Sequence, residues 1–377
     1  LPLRSSGIGA GSFYEVDNDM IKRLDSMNKC FEPSFRQTFQ ACKTPVSLLI
    51  REPMIELTDH INRIPDNLQN IKYVIYGREP GIGKSTVLFY SLCHAVKQNW
   101  LILNFQKASE IMQQQINLAE QNVRNSNVYD TPIESVAWLQ NFATQNRDLL
   151  RNSALKTSEE YVWSLRESTP ANTSILKIVE LGCDRLRYSS DCIGVIVKEI
   201  KKQSHNLGFK ILTAIDGVNA FYGSSWVRSE KREKLQADDL VFVRALKRLL
   251  KSDWSNAITV CTVGPEDYIL EKPLGKRWHK RLKRKIYRTV RTYNEYYYDG
   301  PCTPLALLNF EGFRDMDPFI PIEVQKLTNH EFNQLFNLYY SKNWITDRSA
   351  GLQENKDVIK FLCACNPSEL SRILSFI

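Results

Sequence analysis

The apolar residues of this chain follow two kinds of pattern. The first is the short solid run. Ile71–Tyr76, Trp100–Phe105, Lys210–Ile215 and Ala257–Val263 are rich in Ile, Val and Leu, and turn residues close three of them: Gly77, Asp216-Gly217 and Gly264-Pro265. Runs of that length without polar alternation are what strands buried on both faces require. The second pattern is helical spacing. Met54, Leu57 and Ile61 recur at intervals of three and four, and Ser85–Val96 reads as a helix. Ala237–Lys251 carries Leu240, Val243, Leu246, Leu249 and Leu250 on one face. Residues 107–205 read as mostly helical and polar, with turn signals at Asp130-Thr-Pro132 and Ser168-Thr-Pro170.

Strand, loop, helix and strand succeed one another over residues 71–105, the size of a βαβ unit. The alternation predicts an α/β fold whose parallel sheet is flanked by helices. The glycine- and serine-rich start predicts a flexible arm over residues 1–20. Two helices are expected at the other end. One starts at Thr328 with Glu331 three residues on, a capping box. The last starts at Asn366, with Pro367 in its first turn and Glu369 behind it. The predicted organisation is an N-terminal extension (1–34), an α/β nucleotide-binding domain (35–265), a basic aromatic-rich insertion (266–300) and a mostly helical C-terminal subdomain (301–377).

Composition narrows the class. With 377 residues, 43% of them hydrophobic and 24% charged, the chain is globular and long enough to bury a sizeable core. No apolar run approaches the roughly 18 residues of a membrane span. The nine cysteines are irregularly spaced, and their one close pair is Cys363-Ala-Cys365. That pattern is neither a zinc site nor a disulfide framework, so a reducing compartment is expected. The chain opens on Leu1 and is read as processed or truncated. Its net charge of +8 is concentrated. Glu271–Arg291 holds ten basic residues and one acid, a net +9, which leaves −1 for the other 356 residues.

The most informative stretch is Gly77-Arg-Glu-Pro-Gly-Ile-Gly-Lys-Ser-Thr86, which resembles the Walker A loop of P-loop NTPases. Glycines let backbone amides curl around phosphate oxygens, and the following helix aims its N-terminal N–H groups at the same anion. Pro80, Gly81, Ile82, Gly83, Lys84, Ser85 and Thr86 are the expected nucleotide-binding residues. Lys84 would reach the β- and γ-phosphates, and the Ser85 hydroxyl would ligate Mg²⁺. Arg78 stands where the motif has its first glycine, so either the loop is one residue longer, with Gly77 as that glycine, or the glycine is replaced. Ile211–Asp216 resembles Walker B, an apolar strand delivering Asp216 to the Mg²⁺ directly or through water. The Glu that polarises the attacking water in many P-loop ATPases is absent; Gly217 occupies that position. Asn355-Lys-Asp-Val358 lacks the Asp of the guanine-reading motif. These features support nucleotide binding better than turnover, with hydrolysis weak or absent. Arg51–Leu57 reads as an ordinary helix start, with a fainter likeness to the base-covering segment of ATPases of the AAA and signalling branches.

Beyond the loop, Tyr73–Gly77, Trp100–Leu103, Tyr161–Thr169, Ala214–Ala220, Asp317–Ile322 and Asn343-Trp344 together resemble the death-associated protein 3 family of mitochondrial small-subunit ribosomal proteins. The likeness runs from about Phe35 to the C-terminus. It implies an AAA-like or signalling-type P-loop fold and a bound guanine nucleotide, GTP or GDP, with Mg²⁺; an adenine nucleotide is the alternative. It further implies a structural role in mitochondrial translation, in the matrix. The partners it implies are small-subunit proteins, rRNA and, across the interface, the large subunit. An active GTPase or ATPase switch, including an apoptosis-related role, is the competing reading.

The basic segment offers a second site. Trp278, Tyr287 and Tyr293 interleave with its cations, as in surfaces that track phosphates and stack bases. Lys276, Arg277, Lys280, Arg281, Lys283, Arg284, Lys285 and Arg288 are the RNA-binding candidates. Neutralising Lys283, Arg284 and Lys285 is expected to weaken incorporation into the small subunit in a salt-dependent way. Co-sedimentation that is unchanged at every salt concentration would count against this.

Overall fold

The computed structural model describes residues 9–25, 36, 39, 45–66, 68–113, 118–152, 155–267 and 301–376. β1 (Phe13–Glu15) pairs antiparallel with β2 (Ser47–Leu49), and α1 (Asn18–Leu24) follows β1. Residues 9–20 are thus packed, where the sequence predicts a flexible arm. The anchor is apolar: Tyr14, Val16, Met20 and Leu24 bury against the central sheet.

That sheet has five parallel strands: β3 (Ile71–Tyr76), β4 (Leu101–Phe105), β5 (Ile211–Ile215), β6 (Ala257–Thr262) and β7 (Ile320–Glu323). Their spatial order is β7-β3-β6-β5-β4. The four predicted runs form the strands that they announce. β7 is additional to them. It carries Pro321, which has no N–H to donate, and it lies at the sheet edge, where one side needs no partner. At the opposite edge the Asn146 side chain stands in for a strand. Its Oδ1 accepts from Ile102 N at 2.7 Å and its Nδ2 donates to Ile102 O at 2.8 Å, which satisfies two buried backbone groups of β4.

Alternate side chains of each strand enter opposite layers. Tyr73, Ile75, Ile102, Leu212, Ala214, Ile258 and Val260 meet α1, α2 (Glu52–Asn62) and α3 (Lys84–Lys97). Val74, Leu101, Leu103, Phe105, Ile211, Ile215 and Cys261 meet the other layer. It contains α4 (Pro132–Gln145), α5 (Ile175–Asp184), α6 (Ser189–Gln203), α7 (Val241–Leu249) and α8 (Pro304–Met316). Each fully buried Ile, Leu or Val contributes about 1.5–3 kcal/mol, so the solid runs dominate the core. α8 packs into this layer and β7 completes the sheet, so residues 304–323 share its core.

A third cluster holds α9 (Asn329–Ser341), α10 (Gln353–Cys363) and α11 (Pro367–Leu374) around Phe332, Phe336, Ile359 and Leu370, with Leu49 of β2 packed among them. Both expected caps form. Glu331 N donates to Thr328 Oγ1 at 3.2 Å while Thr328 N donates to Glu331 Oε2 at 2.8 Å. Asn366 Oδ1 accepts from Ser368 N at 3.0 Å and Glu369 N at 3.4 Å. Among the described residues no helix is long and apolar enough to cross a membrane.

One core residue makes the fold acid-sensitive. His94 on α3 is buried, and neither ring nitrogen has a hydrogen-bond partner among the described residues. Burial, aided by the Lys97 charge, lowers its pKa from 6.5 to about 4. The unfolded chain therefore binds this proton first, so the stability contributed by neutral His94 is complete above about 6.5 and is lost as pH falls towards 4. Urea unfolding is expected to show about 2 kcal/mol more loss between about pH 7 and pH 5 in the native sequence than in His94→Leu. Identical losses in the two proteins would exclude His94 as the cause.

Candidate functional site

The C-terminal ends of β3, β5 and β6 converge on the glycine-rich loop, the usual position for ligands of an open parallel sheet. Gly81 and Gly83 have φ of +75° and +104°, values that side-chain-bearing residues rarely adopt. They turn the loop so that α3 starts at Lys84. The amides of Gly83, Lys84 and Ser85 have no hydrogen-bond partner among the described residues. Three free N–H groups at the start of a 14-residue helix form a cradle suited to an anion. Of the other expected loop residues, Pro80 and Thr86 are half-buried and Ile82 is buried.

Gly77 serves packing and not the cradle. A Cβ there would lie 2.2 Å from Ile82 Cδ1 and 2.6 Å from Val324 O. The displaced glycine is thus required by the close approach of the loop to the end of β7, and the exposed Arg78 takes the position after it.

Lys84, Ser85 and Asp216 come together as the motif predicts. Ser85 Oγ donates to Asp216 Oδ1 at 3.0 Å, and Thr262 at the end of β6 donates to the same oxygen at 2.6 Å. The Lys84 side chain is buried; its Nζ donates to Glu79 O at 3.1 Å and pairs with Glu266 Oε1 at 2.8 Å. Asp267 lies beside them and accepts from Ser109 Oγ at 2.8 Å. Burial, then the neighbouring Glu266 and Asp216 charges, raises the Asp267 pKa to about 8. Burial also raises that of Asp216, against the opposing pull of its two hydroxyl donors. Carboxylates this crowded are best relieved by a cation, and Mg²⁺ accepts one or two carboxylates together with phosphate oxygens and water. The cradle, the ammonium and the hydroxyl–carboxylate pair fit a Mg²⁺–nucleotide.

The sequence pattern does not announce Thr262, Glu266 or Asp267. The available signal is an acid pair directly after Gly264-Pro265, at the C-terminal end of a parallel strand. The pair also explains Gly217. With φ at +74°, a Cβ there would stand 2.6 Å from Asp267 Cγ, so the space of the usual glutamate is filled from β6.

The outer wall of the loop belongs to the C-terminal helices. Asn366 Nδ2 donates to Pro80 O at 2.9 Å, and Ser368 N donates to Gly81 O at 3.3 Å. Buried Arg51, just before α2, donates to Ile82 O at 2.9 Å, Gln325 O at 2.8 Å and Lys326 O at 3.0 Å. It also pairs with Glu331 at 3.1 Å. The helix-start reading of Arg51–Leu57 holds, and its first residue is in addition the brace of the phosphate loop. The RNA-binding candidates between Lys276 and Arg288 lie outside the described residues.

The chain can be set beside known proteins. It is 32% identical over 330 residues to the small ribosomal subunit protein mS29 of Bos taurus, covering 88% of this chain and 76% of that protein. The Mus musculus protein of the same name is 32% identical over 330 residues, covering 86% and 76%. The Neurospora crassa one is 24% identical over 234 residues, covering 62% and 48%. Residues 48–373 match the family model described as mitochondrial ribosomal death-associated protein 3. By that span and that identity, the chain belongs to the mitochondrial ribosomal death-associated protein 3 family.

Proposed function

We propose that this protein is a structural component of the mitochondrial small ribosomal subunit, built on a P-loop domain that holds a guanine nucleotide with Mg²⁺ as a resident stabilising ligand. The names of its relatives support the ribosomal assignment, and the family it belongs to supports a mitochondrial location. The convergence of free loop amides, Lys84, Ser85 and Asp216 carries the nucleotide reading. The amides and Lys84 would hold the phosphates; Ser85 and Asp216 would hold the metal, directly or through water. When bound, the metal neutralises phosphate charge. Gly217 leaves Asp216 without the adjacent glutamate that orients water. The site is therefore read as one for retention.

Mass spectrometry of the purified protein, followed by single-turnover kinetics, tests this. The expected result is a stoichiometric guanine nucleotide that persists unhydrolysed. Hydrolysis that disappears in Lys84→Ala without unfolding would favour the switch reading; an empty site would remove the nucleotide from the account.

A further inference from the structure

A second surface, remote from the loop, is built for polyanions. α7 divides two adjoining hollows of about 450 and 330 Å³, and Arg244 and Arg248 line both. The two arginines are exposed and one helical turn apart, so they project from the same ridge. Lys251 and Arg314 extend the basic lining on one side, Arg124 and Lys198 on the other. Across the two hollows eight basic residues face four acids, a net +4 in a body whose 356 residues outside the 271–291 segment sum to −1. Part of this charge is paired: Lys247 with Asp238 at 2.9 Å, Arg124 with Asp191 at 3.6 Å, Arg314 with Asp315 at 4.0 Å, and Lys198 with Glu159 outside the lining. Arg244, Arg248 and Lys251 have no ion pair among the described residues. Beneath them buried Lys72 donates to the carbonyls of Asp315 and Asp317 at 3.3 Å each, so its ammonium adds to the positive field without filling the hollow.

We infer that the α7 ridge and its two hollows seat the sugar–phosphate backbone of an RNA helix. The inference rests on the ribosomal reading for its partner class. Arg244 Nε donates to Asp238 O, which fixes that side chain on the ridge and leaves its terminal nitrogens for a ligand. The chemistry favours RNA over an acidic protein because guanidinium groups one turn apart match successive phosphates, and because the hollows continue past the ridge on both sides, as a strand of phosphates requires. The site contains no free aromatic platform and so reads backbone, not sequence.

The test is fluorescence anisotropy of the full chain with a short labelled RNA hairpin, from about 50 to 200 mM salt. The variants are Arg244→Gln/Arg248→Gln and, as a control away from the ridge, the exposed Lys22→Gln on α1. The double variant is expected to lose about tenfold in affinity and to flatten the logarithmic salt slope by about 2, one for each lost contact, while the control matches the native protein. An affinity within about twofold and an unchanged slope would overturn the inference. Equal loss of binding to labelled polyglutamate would also overturn it, assigning the face to an acidic protein. Failure of the native chain to co-sediment with small subunits, beside the expected RNA result, would remove the ribosomal reading and leave the RNA face standing.

Discussion

Arg51→Ala is expected to lower the free energy of unfolding by about 3–5 kcal/mol, the largest single effect foreseen for this chain. The guanidinium joins α2, the phosphate loop, the segment after β7 and α9 through its bonds to Ile82, Gln325, Lys326 and Glu331. Both side chains of the ion pair are buried. Truncating the arginine leaves the buried Glu331 carboxylate without its cation, with only Thr328 N donating to it, and takes the buried donor from Ile82 O; a buried group that loses its partner costs about 1–3 kcal/mol, more when it is charged. Arg51→Met with Glu331→Leu should recover part of the loss, because no buried charge then lacks its partner. Urea unfolding of the three proteins decides it. A loss below about 1 kcal/mol for the single variant would mean that the brace is dispensable.

Lys84→Ala is expected to abolish stabilisation by Mg²⁺–nucleotide. A ligand bound only to the folded state adds about 4 kcal/mol at a thousandfold excess over Kd, and thermal unfolding with and without GTP reads that shift directly. The native protein should show the full rise and the variant none, with the nucleotide-free unfolding of the variant confirming that it is folded. A variant that keeps the rise would show that Lys84 does not touch the phosphates.

These two residues illustrate what was legible in the sequence. Lys84 sits in a local motif whose strand, loop and helix are contiguous, so its place follows from neighbours within some ten residues. The solid runs of β3 to β6 were legible for the same reason: burial on both faces leaves no polar position to interrupt them. β7 was not, because an edge strand exposes alternate residues and tolerates Pro321. β1 is three residues long and gains its meaning from β2, more than thirty residues away. Arg51 and Glu331 lie 280 residues apart, and only the fold brings them together. Glu266 and Asp267 reach Lys84 and Asp216 through strand order, which places β6 between β3 and β5. Glycines were legible as turns but not by role: Gly77 is needed for packing and Gly217 for room beside Asp267.

The phosphate loop is a structural joint and, on the proposed reading, a binding site as well. Its inner side presents free amides and Lys84, where the proposed nucleotide would sit; its outer side is held by Arg51, Asn366 and Ser368. Ordering one side should order the other. Hydrogen exchange of the intact protein with and without Mg²⁺–GTP tests this most directly. Slower exchange is expected both in the loop and in α11 and α9 when nucleotide is present, with the distant protection absent in Asn366→Ala, which removes the bond to Pro80. Protection confined to residues 80–87 in the native protein, with α9 and α11 exchanging at the nucleotide-free rate, would contradict it.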